Sequence, residues 1–220
     1  MFATIRVVGR GRLGSAVSAR LVERGHRVDD EGGAHLILLC VPDSAIGDVA
    51  RSLPIGPWVA HMSGATPLAA LSPHATRFGV HPLQTFVRTR GPEQLDGAWA
   101  AVSGEDAEAL RGTNWLATEL GLRPFELADD MRALYHAGVA MASNYLVTLY
   151  RAASRALEAA GAPPEALVPL MQRTIDNGFE LTGPIARGDW ATVDAHLAAL
   201  RRRVPELEPI YRALADATVP

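Results

Sequence analysis

The stretch Thr4-Ile5-Arg6-Val7-Val8-Gly9-Arg10-Gly11-Arg12-Leu13-Gly14-Ser15-Ala16-Val17 (TIRVVGRGRLGSAV) decides how the rest of the chain is read. A short strand pattern runs into G-x-G-x-x-G, and a helical pattern from Leu13 to Arg24 follows, closed by Gly25. At a strand-to-helix junction the motif signals a dinucleotide-binding unit; alone it would be a turn. Gly9 permits the tight turn, Gly11 lets a pyrophosphate approach the backbone, and Gly14 lets helix and strand pack closely, with the helix N-terminus facing the anion. Arg10, Arg12 and Leu13 complete the loop as candidate cofactor contacts.

Twenty positions after Gly9 stands Asp29, where an acidic side chain would accept the ribose hydroxyls of NAD. Asp30 and Glu31 add negative charge that would repel a 2′-phosphate, whereas Arg10 and Arg12 pull the other way, so NAD and NADP both stay open. The alternative for the acidic trio is a solvated turn. Only six residues separate Arg27-Val28 from the next apolar run, so the second βα step of such a unit is missing. Its loss removes one wall of the adenosine pocket but leaves the pyrophosphate donors of the glycine loop in place.

Outward from the loop, the first half alternates strand and helix signals. HLILLCV (35–41) is a continuous apolar run, as expected for a strand covered on both faces. After Pro42, Asp43-Ser44-Ala45-Ile46 is expected to start a helix with an acidic cap. PWVAHM (57–62), RFGVHP (77–82), AWAAVSG (98–104) and RPFEL (123–127) read as strands, with a helix from Glu105 to Leu120 ended by Gly121. The order implies an α/β fold with a doubly wound, mostly parallel sheet and helices on both faces. Ligands of such sheets sit outside the carboxyl ends of the strands, so Val41 and Pro42 should border the cofactor. His61-Met62-Ser63-Gly64, His81-Pro82-Leu83 and Ser103-Gly104 should lie on the same edge. His61 reads as a buried core histidine. His81 reads either as a turn histidine beside Pro82 or as a functional group at a strand end.

Composition narrows the chemistry. The 220 residues are 48% apolar and 20% charged with a net charge of −3, enough for a packed core and not basic enough to favour nucleic acid. The single cysteine, Cys40, excludes an intramolecular disulfide and fits a reducing, cytoplasmic setting. No apolar stretch approaches the ~20 residues of a membrane span, and no signal peptide is read. No metal site is expected, because His61, His74 and His81 show no helical pairing and no nearby Cys or carboxylate cluster. All 21 cationic side chains are arginine, which excludes lysine Schiff bases, a Walker lysine and a lysine acid.

From residue 129 onward only helical patterns remain, dividing the chain into 1–128 and 129–220. Met131 to Ala160 reads as one long helix, apolar nearly all round and stopped by Gly161, Pro163 and Pro164. A helix buried on every side needs more partners than this short segment supplies, so a second subunit is expected. Shorter helices follow over Glu165–Leu181, Asp189–Arg203 and from Pro205. In the long helix His136, Ala140 and Asn144 are spaced i, i+4, i+8, placing His136 and Asn144 on one face. They read either as an inter-helix hydrogen-bond pair or as a substrate-facing pair, with His136 the acid and Asn144 the orienting amide.

Several stretches together (GRGRLGSAV, VPDSAI, HMSGA, GVHPLQTF, YHAGVAMASNYLVTLY and LTGPIARGD) resemble proteins in which a Rossmann-like domain precedes a helical DUF2520 domain. These are similar to the 6-phosphogluconate dehydrogenase-like superfamily of β-hydroxyacid dehydrogenases, ketopantoate reductases and pyrroline-5-carboxylate reductases. The resemblance implies an NAD(P)-binding N-terminal domain, a helical domain forming a homodimer, and a substrate cleft between them. Within it Gly9, Gly11 and Gly14 match the dinucleotide loop, Ser63-Gly64 resembles the serine-glycine substrate turn, and Asn144 looks like the asparagine that orients substrate. The lysine that many members carry on the long helix cannot exist here, and His136 is the available replacement one turn earlier. The expectation is an NAD(P)H-dependent oxidoreductase reducing a small carbonyl or imine, possible substrates including ketopantoate-like ones, with His136, Asn144 and His81 at the reacting centre. Its rivals are a non-catalytic nucleotide-binding or sensing protein and a purely structural dimer.

Overall fold

A computed structural model describes residues 1–29 and 33–219; Asp30 and Glu31 of the acidic trio lie outside the described residues. The seven strands are β1 (Thr4–Val8), β2 (Arg27–Val28), β3 (Leu36–Leu39), β4 (Trp58–His61), β5 (Arg77–Pro82), β6 (Trp99–Gly104) and β7 (Arg123–Glu126). They form one sheet in the order β2-β1-β3-β4-β5-β6-β7. The first five run parallel, β6 turns antiparallel to β5, and β7 follows β6 in parallel. The fold is thus α/β and Rossmann-like with a mostly parallel sheet. Among the described residues no helix stands between β2 and β3, which flank β1 on its two sides. The Asp29 amide donates to Ile5 O (3.0 Å) and the His35 amide to Thr4 O (2.9 Å), holding both ends of the shortened connection against β1.

The antiparallel step corrects one expectation. Gly104 is paired with Phe78 at the start of β5, so Ser103-Gly104 lies on the edge opposite the ends of β1, β3, β4 and β5. Parallel pairing needs a crossover, usually a helix. Between β5 and β6 there is only a single 3₁₀ turn over Pro92–Leu95, and the chain returns antiparallel. The Ser103 hydroxyl is used locally, donating to Leu127 O (2.6 Å).

The alternation of β3 shows why both faces are covered. Leu36 and Leu38 pack with Val17 and Leu21 of α1 (Arg12–Glu23) and with Leu116 and Leu120 of α3 (Ala107–Leu120). Ile37 and Leu39 point the other way, into Ile46 and Ala50 of α2 (Ile46–Ser52). α3 begins at Asp106, whose carboxylate accepts from the Glu108 and Ala109 amides (2.9 and 2.8 Å), and stops at Gly121 with φ +76°. Asp43 makes no such cap. Residues 43–45 form a 3₁₀ turn behind Pro42, and α2 starts only at Ile46.

The chain divides into two compact units, Met1–Ala140 and Met141–Pro220. Helical character begins at residue 129, but α4 (Arg132–Ala140) belongs with the sheet, because its first residue, Arg132, is buried there. The expected long helix is helical throughout, from Arg132 to Ala159. A π-helical turn over Met141–Tyr145 separates α4 from α5 (Leu146–Ala159). Within the single chain no residue of the π-turn or α5 is buried, and Leu134, Met141, Tyr145, Val147 and Leu149 are exposed. The second unit continues with α6 (Leu167–Asp176), α7 (Trp190–Arg203) and α8 (Glu208–Thr218). Within it Leu149, Ala153 and Ala156 of α5 face Leu200, Ile210 and Leu214 across an apolar crevice. Among the described residues no helix is long and apolar enough to cross a membrane.

Candidate functional site

The three loop glycines have different physical causes. Gly9 has φ +105°, and a Cβ there would run into the Cys40 carbonyl at the end of β3. Gly14 sits in the first turn of α1 so close to the Gly9 carbonyl that any side chain would collide with it, with Cys40 Cβ 3.1 Å away. Both are demanded by the protein's own packing. Gly11 is not: it is the N-cap of α1 with φ −71°, and a Cβ there meets nothing within 4 Å. Around it Arg10 and Arg12 are exposed, Leu13 packs on the main core, and the Ser15 amide closes the helix onto Gly11 O (3.0 Å). Val41 lies beside the loop, its Cγ1 3.2 Å from where a Gly9 Cβ would stand, and Pro42 follows it. Asp29 directly follows β2 on the neighbouring strand and pairs with the Arg27 guanidinium.

At the ends of β4 and β5 a second cluster forms. The Ser63 hydroxyl is engaged inside its own turn: it donates to Thr66 Oγ1 (2.9 Å) and accepts from the Ala65 and Thr66 amides (3.2 and 3.0 Å). Gly64 is the member of the pair that faces the histidines. A Cβ on Gly64 would lie 2.7 Å from His136 Cδ2 and 2.8 Å from His81 Cε1. His81 and His136 meet edge to face, with ring centroids 5.8 Å apart, and His81 Nδ1 is 2.8 Å from the Tyr135 hydroxyl. The structure thus brings together Gly64, His81 and His136. Asn144, in the π-turn of the second unit, is exposed.

Beneath this cluster lies a residue the sequence reading did not single out. Arg132 is only 1% exposed. Its Nε donates to Asp129 Oδ1 (2.7 Å) and its Nη1 to Ser63 O (3.0 Å), while the Asp129 carboxylate also accepts from the Leu68 amide (3.0 Å). Gly79 in β5 makes room for the guanidinium, since a Cβ there would strike Nη2. This fixed cation adds to burial in keeping the imidazoles above it neutral. Burial first, then Arg132 and His81, hold His61 down to about 3; its Nδ1 accepts the Ser63 amide (3.3 Å). Burial first, then His136 and Arg132, hold His81 down to about 4. Both rings are neutral at pH 7 and serve as hydrogen-bonding groups. The only signal for Arg132 in the sequence is its i, i+3 spacing from Asp129 at a helix start, which surface pairs share.

The architecture is shared with solved structures of low sequence identity. A candidate NADP oxidoreductase from Bacteroides fragilis is 19% identical, with a TM-score of 0.81 over 98% of this chain and 97% of that one. A semialdehyde dehydrogenase NAD-binding protein from Cupriavidus necator, in complex with calcium and NAD, is 20% identical with a TM-score of 0.65 over 97% and 99%. A reductive aminase from Aspergillus terreus, in complex with NADPH, is 15% identical with a TM-score of 0.70 over 99% and 93%. No curated protein matches the sequence. The family model described as domain of unknown function DUF2520 matches residues 98–218, from β6 and α3 through the helical segment. That match takes in more than half of the sequence, and the chain belongs to the DUF2520 family.

Proposed function

We propose that this protein is an NAD(P)H-dependent oxidoreductase that reduces a small carbonyl or imine substrate at the carboxyl edge of its sheet. One observation carries the nucleotide half: Gly11 is a glycine for which the protein's own backbone and packing give no reason. Its dihedral suits any residue and the space before it is open, so the small residue is explained by a group that must approach the backbone there. The same loop presents the unpaired amides of the first turn of α1, a donor set suited to a pyrophosphate. Structural neighbours in complex with NAD or NADPH support the cofactor class, and the choice between NAD and NADP stays open between Asp29, which pairs with Arg27, and the loop arginines Arg10 and Arg12. When bound, the nicotinamide supplies a hydride.

The chain's own residues do the rest. Gly9, Gly11 and Gly14, with Arg10, Arg12 and Leu13, would hold the pyrophosphate, and Val41 and Pro42 would border it. The Ser63-Gly64 turn, shaped by the Ser63 hydroxyl, places Gly64 against His81 and His136. His81, neutral, orients the substrate oxygen or nitrogen; His136 delivers the proton that this atom gains.

The test is a thermal-shift series with NAD, NADH, NADP and NADPH. A ligand at 100 times its Kd should stabilise the protein by about 2.7 kcal/mol. Gly11→Val is expected to abolish that stabilisation while lowering the ligand-free melting temperature only by the modest cost of an apolar N-cap, since a Cβ there meets no atom within 4 Å. Undiminished binding by this variant would place the nucleotide elsewhere, and binding without turnover would favour a sensing role.

We propose further that two copies associate through the helical unit, covering the exposed side chains of the π-turn and α5. An obligate interface of this kind buries roughly 2,000 Å² or more. Light scattering at micromolar concentration is expected to give twice the chain mass; a monomer mass would refute the association.

A further inference from the structure

Inside the protein His81 uses one ring nitrogen. Nδ1 is 2.8 Å from Tyr135 Oη, with the two rings edge to face at 85°. No hydrogen bond to Nε2 occurs among the described residues. The sense of the Nδ1 bond follows from chemistry. The unprotonated nitrogen of a neutral imidazole is a much stronger acceptor than a phenol oxygen, and the phenol is a good donor, so Tyr135 donates. Burial pushes the Tyr135 phenol up to about 12, which keeps that proton in place.

We propose that Tyr135 is a positioning residue that holds His81 as its Nε2–H tautomer, so that the site offers a neutral N–H donor to the oxygen or nitrogen of its substrate. The substrate half of this statement rests on the oxidoreductase reading above. Tautomer matters only for a neutral ring, because an imidazolium carries a proton on both nitrogens. Three features keep His81 neutral: burial, the permanent charge of Arg132 and the proximity of His136; Asp43 acts weakly in the opposite sense. Gly64 fixes the ring further, lying against His81 Cε1 and Nδ1 with no room for a side chain. Tyr135 itself is braced by Phe125, ring centroids 6.0 Å apart. His81 keeps its proton throughout: it lends a hydrogen bond, and His136 supplies the proton that is consumed.

The experiment is long-range ¹H–¹⁵N correlation spectroscopy of the imidazoles in the ligand-free protein at pH 7, with His81→Gln to assign the signals. The parent is expected to show Nδ1 unprotonated and Nε2 protonated. Tyr135→Phe, which keeps the ring contacts and removes one hydroxyl, should draw the two nitrogen signals together as the tautomers mix. His74, whose Nε2 pairs with Ala50 O at 2.8 Å, should not change and reports on folding. An Nδ1–H His81 in the parent overturns the proposal without any variant. So does a folded Tyr135→Phe protein with the parental tautomer. The spectra need no cofactor, so failure of the Gly11→Val test would leave them standing, and an Nδ1–H His81 would defeat the positioning role whatever that test returned.

Discussion

Asp129→Ala is expected to destabilise the protein by about 3–5 kcal/mol, and more than Arg132→Met does, although both break the same ion pair. The asymmetry comes from burial. Arg132 is 1% exposed, whereas the Asp129 side chain is 35% exposed. Removing the carboxylate strands a full positive charge in the core, with Ser63 O as its one remaining acceptor among the described residues, and also orphans the Leu68 amide. Removing the guanidinium leaves a carboxylate that water reaches and that still accepts from Leu68. Methionine also fills much of the vacated space without introducing a polar atom. The double variant should recover part of the loss, because an apolar replacement for a whole buried pair is often tolerated. Urea unfolding of the three variants measures this directly. If Asp129→Ala proved the milder single substitution, the buried-charge account would be wrong.

That pair also marks where the sequence stops being informative. The glycine loop, the run over β3 and the strand-end positions of His61, Ser63 and His81 were readable because each is a local pattern: a motif between two periodicities, an apolar stretch, a turn after a strand. The direction of β6 was not, since nothing local distinguishes a strand that returns antiparallel from one that crosses over. The π-turn was equally hidden, because MASNY carries no breaker and the extra residue per turn is set by packing. In the site, adjacency across the sheet was the missing element. His81 and His136 could be nominated separately, but only the fold sets Gly64 between them and places Tyr135 on Nδ1. Arg132 was missed because an arginine near an aspartate at a helix start is most often a surface pair. Its burial depends on Gly79, a glycine in another strand whose missing side chain gives the guanidinium its room.

The neutral histidines set the response to acid. The protein should lose about 3–5 kcal/mol of stability between pH 7 and pH 4.5. His61 and His81 are held down to about 3 and about 4 in the folded state, against an ordinary value of 6.5. As pH falls below 6.5 the unfolded chain binds protons at these positions and the folded chain does not, so the equilibrium moves towards unfolding. The contribution is complete above 6.5 and disappears as pH falls through the folded values. Most of the window lies above the range where carboxylates titrate, so the imidazoles dominate the slope there. Equilibrium urea unfolding at half-unit steps of pH measures it. His81→Gln removes one of the two groups and should reduce the loss by roughly half. Stability that stays flat from pH 7 to 4.5 would mean that both rings accept protons in place, and the buried cation at Arg132 would not be holding them neutral. That outcome would confine a fixed tautomer on His81 to pH above about 6.5, since a doubly protonated ring has none to fix. A slope that His81→Gln leaves unchanged would assign the whole effect to His61, beneath the Ser63 turn, and leave the ring beside His136 free to charge.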